Sequence, residues 1–265
     1  MQHRSSSEAS PVDVVRLEKA SRRTGADLVA AEALVTLSVN GTSIVSLACT
    51  PIDLEDLAAG YLLSQRLIAT ASDLKSLIVR HDEGVIEAET TKPLDVSHVI
   101  NRIAAVGSGC GAGAFSLERV LEMSGAWRIQ SEVSVPATAI FELMRAFHRV
   151  SGLFRSTGGV HSAAACDFQR LILHRDDIGR HNAVDKVFGR CLLADIPTRD
   201  RVLLTTGRVS SDILVKTALR EVPILVSRSA PTSLAVELAS RVGMTLVGFA
   251  RGERLNIYAN DWRIT

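Results

Sequence analysis

Residues 106–114 read VGSGCGAGA, so Cys110 stands among Gly107, Gly109, Gly111 and Gly113. Such a loop has little side-chain bulk and wide backbone freedom, which lets a ligand approach the main chain closely. Backbone N–H groups near a helix start lower a thiol pKa and favour the thiolate, making Cys110 the candidate nucleophile or sulfur carrier. The plainer alternative is a small residue in a tight turn. Cys49, Cys166 and Cys191 sit in apolar stretches and read as core. No C-x-x-C pair occurs, so neither a zinc knuckle nor a dithiol redox motif is written in the chain.

Four further strings carry chemistry. Thr157-Gly158-Gly159-Val160-His161 suggests a strand-to-helix turn holding His161 near a site, where imidazole can act as acid or base near neutral pH. A zinc deaminase would need H-x-E followed by P-C-x-x-C. His161-Ser162-Ala163 lacks the glutamate and no C-x-x-C follows, so that chemistry is excluded and no metal ligands are assigned. Residues 175–186, RDDIGRHNAVDK, crowd seven ionisable side chains into twelve positions at an expected strand-to-helix junction. Asp177 or Asn182 could cap the helix, but capping leaves Arg180 and His181 over, and these suit a phosphate at a helix N-terminus. Arg208 is left over in the same way from Thr206-Gly207-Arg208, whose neighbours Ser210, Ser211 and Asp212 are ordinary caps. Phe249-Ala250-Arg251-Gly252-Glu253-Arg254 offers two guanidinium groups around a glycine, a fit for pyrophosphate, with a solvated hairpin tip as the alternative.

The elements that must position these residues follow from periodicity. Residues 1–25 are polar and Ser- and Arg-rich and read as a mobile arm. Leu34–Val39 and Ile44–Leu47 flank Asn40-Gly41, the signature of a two-residue hairpin turn. Asp53 is placed to cap a helix carrying Leu54, Leu57, Ala58, Tyr61 and Leu62 on one face. Residues 76–102 suggest further strands and a short helix, and helices are expected near 114–123 and 136–149. Beyond residue 170, aliphatic strands at 171–173, 202–205, 224–226 and 245–249 alternate with helices at 182–193, 211–220 and 232–242, and a last short strand falls at 256–259. That alternation predicts an α/β fold with a parallel sheet covered on both faces and ligands beyond the strands' carboxyl ends. The expected organisation is an arm over 1–25, a smaller β-rich part over 26–104 and an α/β core over 105–265.

Composition sets the limits. The chain has 265 residues, 46% hydrophobic and 4% aromatic, which calls for an aliphatic core. A net charge of +1 argues against a broad grip on nucleic acid, while a local basic site remains open. No apolar run approaches the roughly 18 residues of a membrane span, and no secretory signal is visible, so a cytoplasmic protein is expected.

Together these strings resemble the FdhD family, the formate dehydrogenase accessory sulfurtransferases, from roughly residue 30 to the C-terminus. The matches are Thr157–His161, Asp177–Lys186, Thr206–Arg208, Ser229-Ala230-Pro231-Thr232-Ser233-Leu234-Ala235 and Leu246–Phe249, with Thr50-Pro51 ahead of the first helix. The resemblance implies a three-layer core like the cytidine deaminase fold without zinc. It also implies a persulfide on Cys110, received from a cysteine desulfurase and passed to the molybdenum cofactor, Mo-bis(molybdopterin guanine dinucleotide), before that cofactor enters the formate dehydrogenase catalytic subunit. The cofactor's guanine nucleotide is then expected on Phe249, Ala250, Arg251, Gly252, Glu253 and Arg254, with His161, Arg180, His181 and Arg208 in support, and the protein is expected to be a homodimer. The family's loop usually reads Cys-Gly-x-Cys-Gly; here the first cysteine is Cys110 and Gly113 takes the place of the second, so any role needing two thiols is lost. One rival is a cofactor-binding and delivery protein without sulfur transfer. Another is a chaperone that recognises only the apo-dehydrogenase and binds no nucleotide.

Overall fold

The computed structural model describes residues 7–19, 21–96 and 128–265. The Cys110 loop, the helix expected near 114–123 and the end of the β-rich part lie outside the described residues.

The first element departs from the expected arm. Strands β1 (Ala9–Glu18) and β2 (Ser21–Ala30) form an antiparallel ribbon with Ala9 opposite Ala30 and Glu18 opposite Ser21. Val12, Val14 and Val15 supply β-branched side chains that favour extended backbone. Serine, arginine and aspartate between them mask that signal in the composition. Most of the ribbon is exposed, and Leu17 is 71% exposed.

The expected hairpin is present. Strands β3 (Ala33–Val39) and β4 (Thr42–Cys49) are joined by Asn40 and Gly41 with φ of 49° and 80°, the left-handed pair that a type I′ turn demands. With β5 (Leu74–Arg80) and β6 (Val85–Thr90) they make a four-stranded sheet in the order β4-β3-β6-β5. Helix α1 (Leu54–Ser64) starts at Asp53, but that residue is no side-chain cap. Its φ is 50°, and its carboxylate lies 3.4 Å from Arg175. The buried surface of α1 also extends beyond the expected stripe, because the helix is enclosed between the four-stranded sheet and a later helix.

The second sheet has six strands in the order β12-β11-β10-β9-β7-β8. Helices α2 (Ala137–Val150) and α3 (Gly152–Thr157) precede it. Its strands are β7 (His161–Cys166), β8 (Leu171–Asp177), β9 (Val202–Thr205), β10 (Ile224–Ser227), β11 (Thr245–Arg251) and β12 (Arg254–Ala259). Helices α4 (Arg180–Leu193), α5 (Ser211–Ala218) and α6 (Ser233–Val242) connect β8 to β11. Parallel pairing is confined to β9, β10 and β11; β7 runs antiparallel to both β8 and β9, and β12 antiparallel to β11. The sheet is therefore mixed rather than parallel. The element missed is β7, whose Ser162-Ala163-Ala164-Ala165 has small side chains with weak strand propensity. Its place between two neighbours, with both faces buried, overrides that propensity.

Side-chain alternation divides the sheet's residues between two cores. Ala163, Ala165, Leu203, Leu225 and Leu246 join the core beneath α4, α5 and α6, which continues into α1 and the four-stranded sheet. Ala164, Cys166, Leu204, Val226 and Val247 face α2, where Ile140, Leu143, Met144 and Phe147 form the expected apolar stripe. A strand buried on both faces has no polar side to alternate with, which is why these read as continuous aliphatic runs. Helices α1 and α4 cross with their backbones in contact: a Cβ at Gly60 would lie 1.8 Å from the Asp185 carbonyl oxygen, and one at Gly189 1.8 Å from that of Asp56. Arg263, 1% exposed, ties the C-terminal turn down by donating to the carbonyls of Gly243 and Ser131 at 2.7 and 3.1 Å.

Candidate functional site

The start of β7 and the ends of β8, β9, β10 and β11 lie along one edge of the six-stranded sheet, as their registers require. Backbone bonds stitch the loops of that edge together. Thr206 N–H donates to the Ser162 carbonyl at 3.0 Å, Arg228 N–H to that of Thr205 at 3.0 Å, and Phe249 N–H to that of Ser229 at 3.1 Å. Ser227 Oγ donates to the Gly207 carbonyl at 2.7 Å. The edge thus gathers Arg180, Arg208, Arg228 and Arg251 from four separate stretches of sequence.

The string Asp177–Lys186 divides into two roles. Asp177 and Lys186 are both fully buried and paired at 2.8 Å. Lys186 Nζ also donates to the carbonyls of Thr50 and Asp176 at 3.1 and 3.2 Å. Asp177 accepts from Thr50 N–H, Gly179 N–H and Asn182 Nδ2 at 3.2, 2.8 and 3.0 Å. Asn182 reaches on to the Ala48 carbonyl at 2.9 Å. Asp185 accepts from Ser64 Oγ at 2.6 Å and is paired with Lys216. These residues lock the N-terminal sheet and α1 onto the core. Neither Asp177 nor Asn182 is the cap, since Gly179 holds the N-cap position of α4. Burial is the largest influence on Asp177 and pushes its pKa up, against the pull of Lys186.

Arg180 and His181 are what the lock leaves over. Arg180 opens α4 and lies against Gly207, where a Cβ would come within 2.7 Å of Arg180 Cβ. His161 opens β7 after a helix-to-strand turn, the reverse of the expected strand-to-helix turn. Helix α3 ends at Gly158 with φ 65°, and the chain turns there into the strand. His161 Nδ1 lies 3.3 Å from Thr206 Oγ1, and His181 Nε2 lies 3.3 Å from Ser210 Oγ. Thr206 and Ser210 were read from sequence as turn and cap hydroxyls; the spacing of hydroxyls on either side of Gly207-Arg208 was the available signal. Burial, then the Arg180 guanidinium, lowers the His161 pKa. Burial, then Lys216 and Arg180, lowers that of His181 to about 3. Both imidazoles are neutral at pH 7.

A pH dependence follows. A histidine whose folded pKa is depressed stabilises the fold fully above its unfolded value of about 6.5 and loses that contribution as pH falls toward the folded value. Urea unfolding should therefore show a loss of about 2 kcal/mol for His181 between pH 7 and pH 5. His181→Gln, compared with wild type at the two pH values, should lose correspondingly less. Equal losses would contradict the buried neutral imidazole.

Residues 249–254 form the β11–β12 hairpin tip at the same edge. Phe249 has φ 51° and Gly252 φ 59°. Arg251 Nε donates to the Arg228 carbonyl at 3.0 Å, and its guanidinium carbon lies 5.9 Å from the Phe249 ring centroid. Among the described residues, Arg180, Arg208, Arg228, Arg251 and Arg254 make no ion pair with a carboxylate. No three His, Cys, Asp or Glu side chains converge as metal ligands among these residues. No helix among them is long and apolar enough to cross a membrane.

Cys49, Cys166 and Cys191 are buried free thiols at 0%, 0% and 3% exposure, as their apolar settings predict. Burial pushes Cys49 and Cys191 up to about 12 and raises Cys166 as well.

The structure is that of a mixed α/β protein with a row of arginines at its strand ends, none of them paired with a carboxylate among the described residues. Comparison with known proteins gives the family. Residues 30–265 match the FdhD/NarQ family, and the chain belongs to it. It is 36% identical over 255 residues to the sulfur carrier protein FdhD of Bacillus subtilis, covering 95% of this chain and 96% of that one. It is 39% identical over 243 residues to the sulfur carrier protein FdhD of Listeria innocua, covering 89% and 91%. A crystal structure from Desulfotalea psychrophila, described as that of a formate dehydrogenase accessory protein, superposes with a TM-score of 0.80 at 28% identity, over 98% of this chain and 100% of that one.

Proposed function

We propose that this chain is a sulfur carrier serving formate dehydrogenase. Its Cys110 thiolate attacks the outer sulfur of a cysteine desulfurase persulfide. A new S–S bond forms on Cys110, and the desulfurase cysteine leaves as thiolate. The carrier then passes that sulfur to the metal of its substrate, Mo-bis(molybdopterin guanine dinucleotide), before the cofactor enters the catalytic subunit. In that step the S–S bond breaks, Cys110 leaves as thiolate, and the substrate's molybdenum, oxidised from Mo(IV) to Mo(VI), gives the two electrons that bring the transferred sulfur to sulfide. The substrate's guanine nucleotide docks on Phe249, Ala250, Arg251, Gly252, Glu253 and Arg254. His161, standing at the same edge, assists the proton balance. The protein acts in the cytoplasm as a homodimer, and its three-layer core is a zinc-free relative of the cytidine deaminase fold. The helices on both faces of the six-stranded sheet support that last reading.

The observation that carries the proposal is the set of strand-end arginines that have no carboxylate partner among the described residues, in a chain whose relatives are named sulfur carriers. Gly113 in place of a second loop cysteine favours the alternative, a cofactor-delivery protein without sulfur transfer. The docking arm is tested by GDP binding to Arg251→Ala. Affinity should fall by roughly 1–3 kcal/mol, the scale of one lost charge-assisted hydrogen bond. Unchanged GDP affinity would remove the nucleotide from this turn.

A further inference from the structure

We propose that Arg180 and Arg208 form a second anion seat at the head of β9, distinct from the 249–254 turn, and that it takes a phosphate group. The two residues come from different loops: the Arg180 stem lies against Gly207, Arg208 follows that glycine, and both guanidinium groups act on His161. A Cβ on that glycine would lie 2.7 Å from Arg180 Cβ and 3.0 Å from its Cδ, so the position has to be glycine for the Arg180 stem to lie there. Arg208 follows directly and is exposed.

Neither arginine makes an ion pair among the described residues, and Arg180 Nε is buried with no hydrogen-bond partner. A buried donor left unmade costs about 1–3 kcal/mol, which an arriving acceptor would recover. Asp177, the carboxylate acting on His161, is committed to Lys186 and to three hydrogen-bond donors. His161 and His181 flank the seat as neutral rings. Each uses one nitrogen on a hydroxyl, Thr206 or Ser210, and among the described residues the other nitrogen makes no hydrogen bond. Two forked guanidinium groups with neutral N–H donors beside them match the tetrahedral oxygens of a phosphate.

The seat is separate from the hairpin tip. Strands β9 and β11 are divided by β10, which puts their ends about 10 Å apart at the usual strand spacing. That spacing leaves room for a separate anionic group at each seat. The inference deepens the nucleotide-docking reading and rests on it only for the source of the phosphate, either the cofactor bound at the tip or a separate phosphate compound.

The test is calorimetric titration of the full chain with inorganic pyrophosphate and, separately, with GDP. Arg208→Ala should weaken pyrophosphate binding about tenfold or more, the loss of one charge-assisted contact. Arg208→Lys, which keeps the charge without the fork, should fall between that variant and wild type. Arg208 is exposed, and unchanged thermal melting would exclude a folding defect. Weaker GDP binding in both Arg208→Ala and Arg251→Ala would assign the seat to the same ligand; weaker GDP binding in Arg251→Ala alone, with pyrophosphate still lost in Arg208→Ala, would assign it to a separate phosphate. Wild-type pyrophosphate affinity in Arg208→Ala, or no pyrophosphate binding by the wild type, would overturn the proposal. A chain that never carries a persulfide but still loses pyrophosphate with Arg208 would fail as a sulfur carrier and keep this seat.

Discussion

Cys110→Ala is expected to reduce activation of a formate dehydrogenase client to the level seen without the protein, while its thermal unfolding stays that of wild type. The structure narrows the choice of thiol. Cys49, Cys166 and Cys191 are enclosed, and burial holds each in the thiol form. With a pKa of about 12, a thiol near pH 7 is thiolate in only about one molecule in 100,000, too few to attack a persulfide at a useful rate. Cys110 is the remaining cysteine, and in the sequence it stands among four glycines. Cys49→Ala should leave activation unchanged. Brief alkylation near neutral pH should label one thiol per folded chain, and label on Cys49 or Cys191 at a comparable rate would contradict the assignment. Alanine suits a turn that accepts cysteine, so a folding defect should not obscure the result.

Lys186→Met is expected to destabilise the fold by about 3–5 kcal/mol, because it leaves the Asp177 carboxylate buried without its cation. Both side chains are fully buried, and Lys186 also satisfies the carbonyls of Thr50 and Asp176. The double replacement Lys186→Met with Asp177→Asn should recover part of that loss in urea unfolding, since no uncompensated charge remains. A single variant that melts like wild type would show that the pair is not the lock described above. The effect reaches the site, because Asp177 also receives the Gly179 N–H from which α4 and Arg180 begin.

The legible parts of the fold were those governed by local chemistry. Asn40-Gly41 specified its hairpin through two left-handed residues. Ile140, Leu143, Met144 and Phe147 specified the buried face of α2 by spacing alone. Strand β7 was hidden because three alanines carry no strand signal, and its assignment depends on neighbours distant in sequence. The same loss of β7 made a mixed sheet look parallel. The ribbon at Ala9–Ala30 was hidden because its pairing is made by backbone hydrogen bonds, which composition does not record.

The candidate site was legible as residue types and not as roles. Arg180, His181 and Arg208 were singled out as residues that capping leaves unexplained, and Arg251 as part of an arginine-bearing turn, and the structure brings them to one edge. The buried partners in the same string were not separable from them. Asp177 and Lys186 look equally functional in sequence, and only the contacts to Thr50, across more than a hundred residues, show them to be structural. Thr206 and Ser210 were assigned to turns and caps, the commonest use of a hydroxyl at a helix start, whereas here they face the two imidazoles.

The central claim is that Cys110 carries sulfur, and peptide mass spectrometry tests it most directly. The full chain is incubated with a cysteine desulfurase and cysteine, then alkylated and digested. The account predicts a gain of one sulfur atom on the peptide containing Cys110, absent from Cys110→Ala. With Gly113 in place of a resolving thiol, the persulfide cannot collapse into a disulfide within that loop and should persist long enough to be trapped. No added sulfur on Cys110, from a desulfurase that loads another acceptor in the same mixture, would contradict the account and leave cofactor delivery without sulfur transfer as the function.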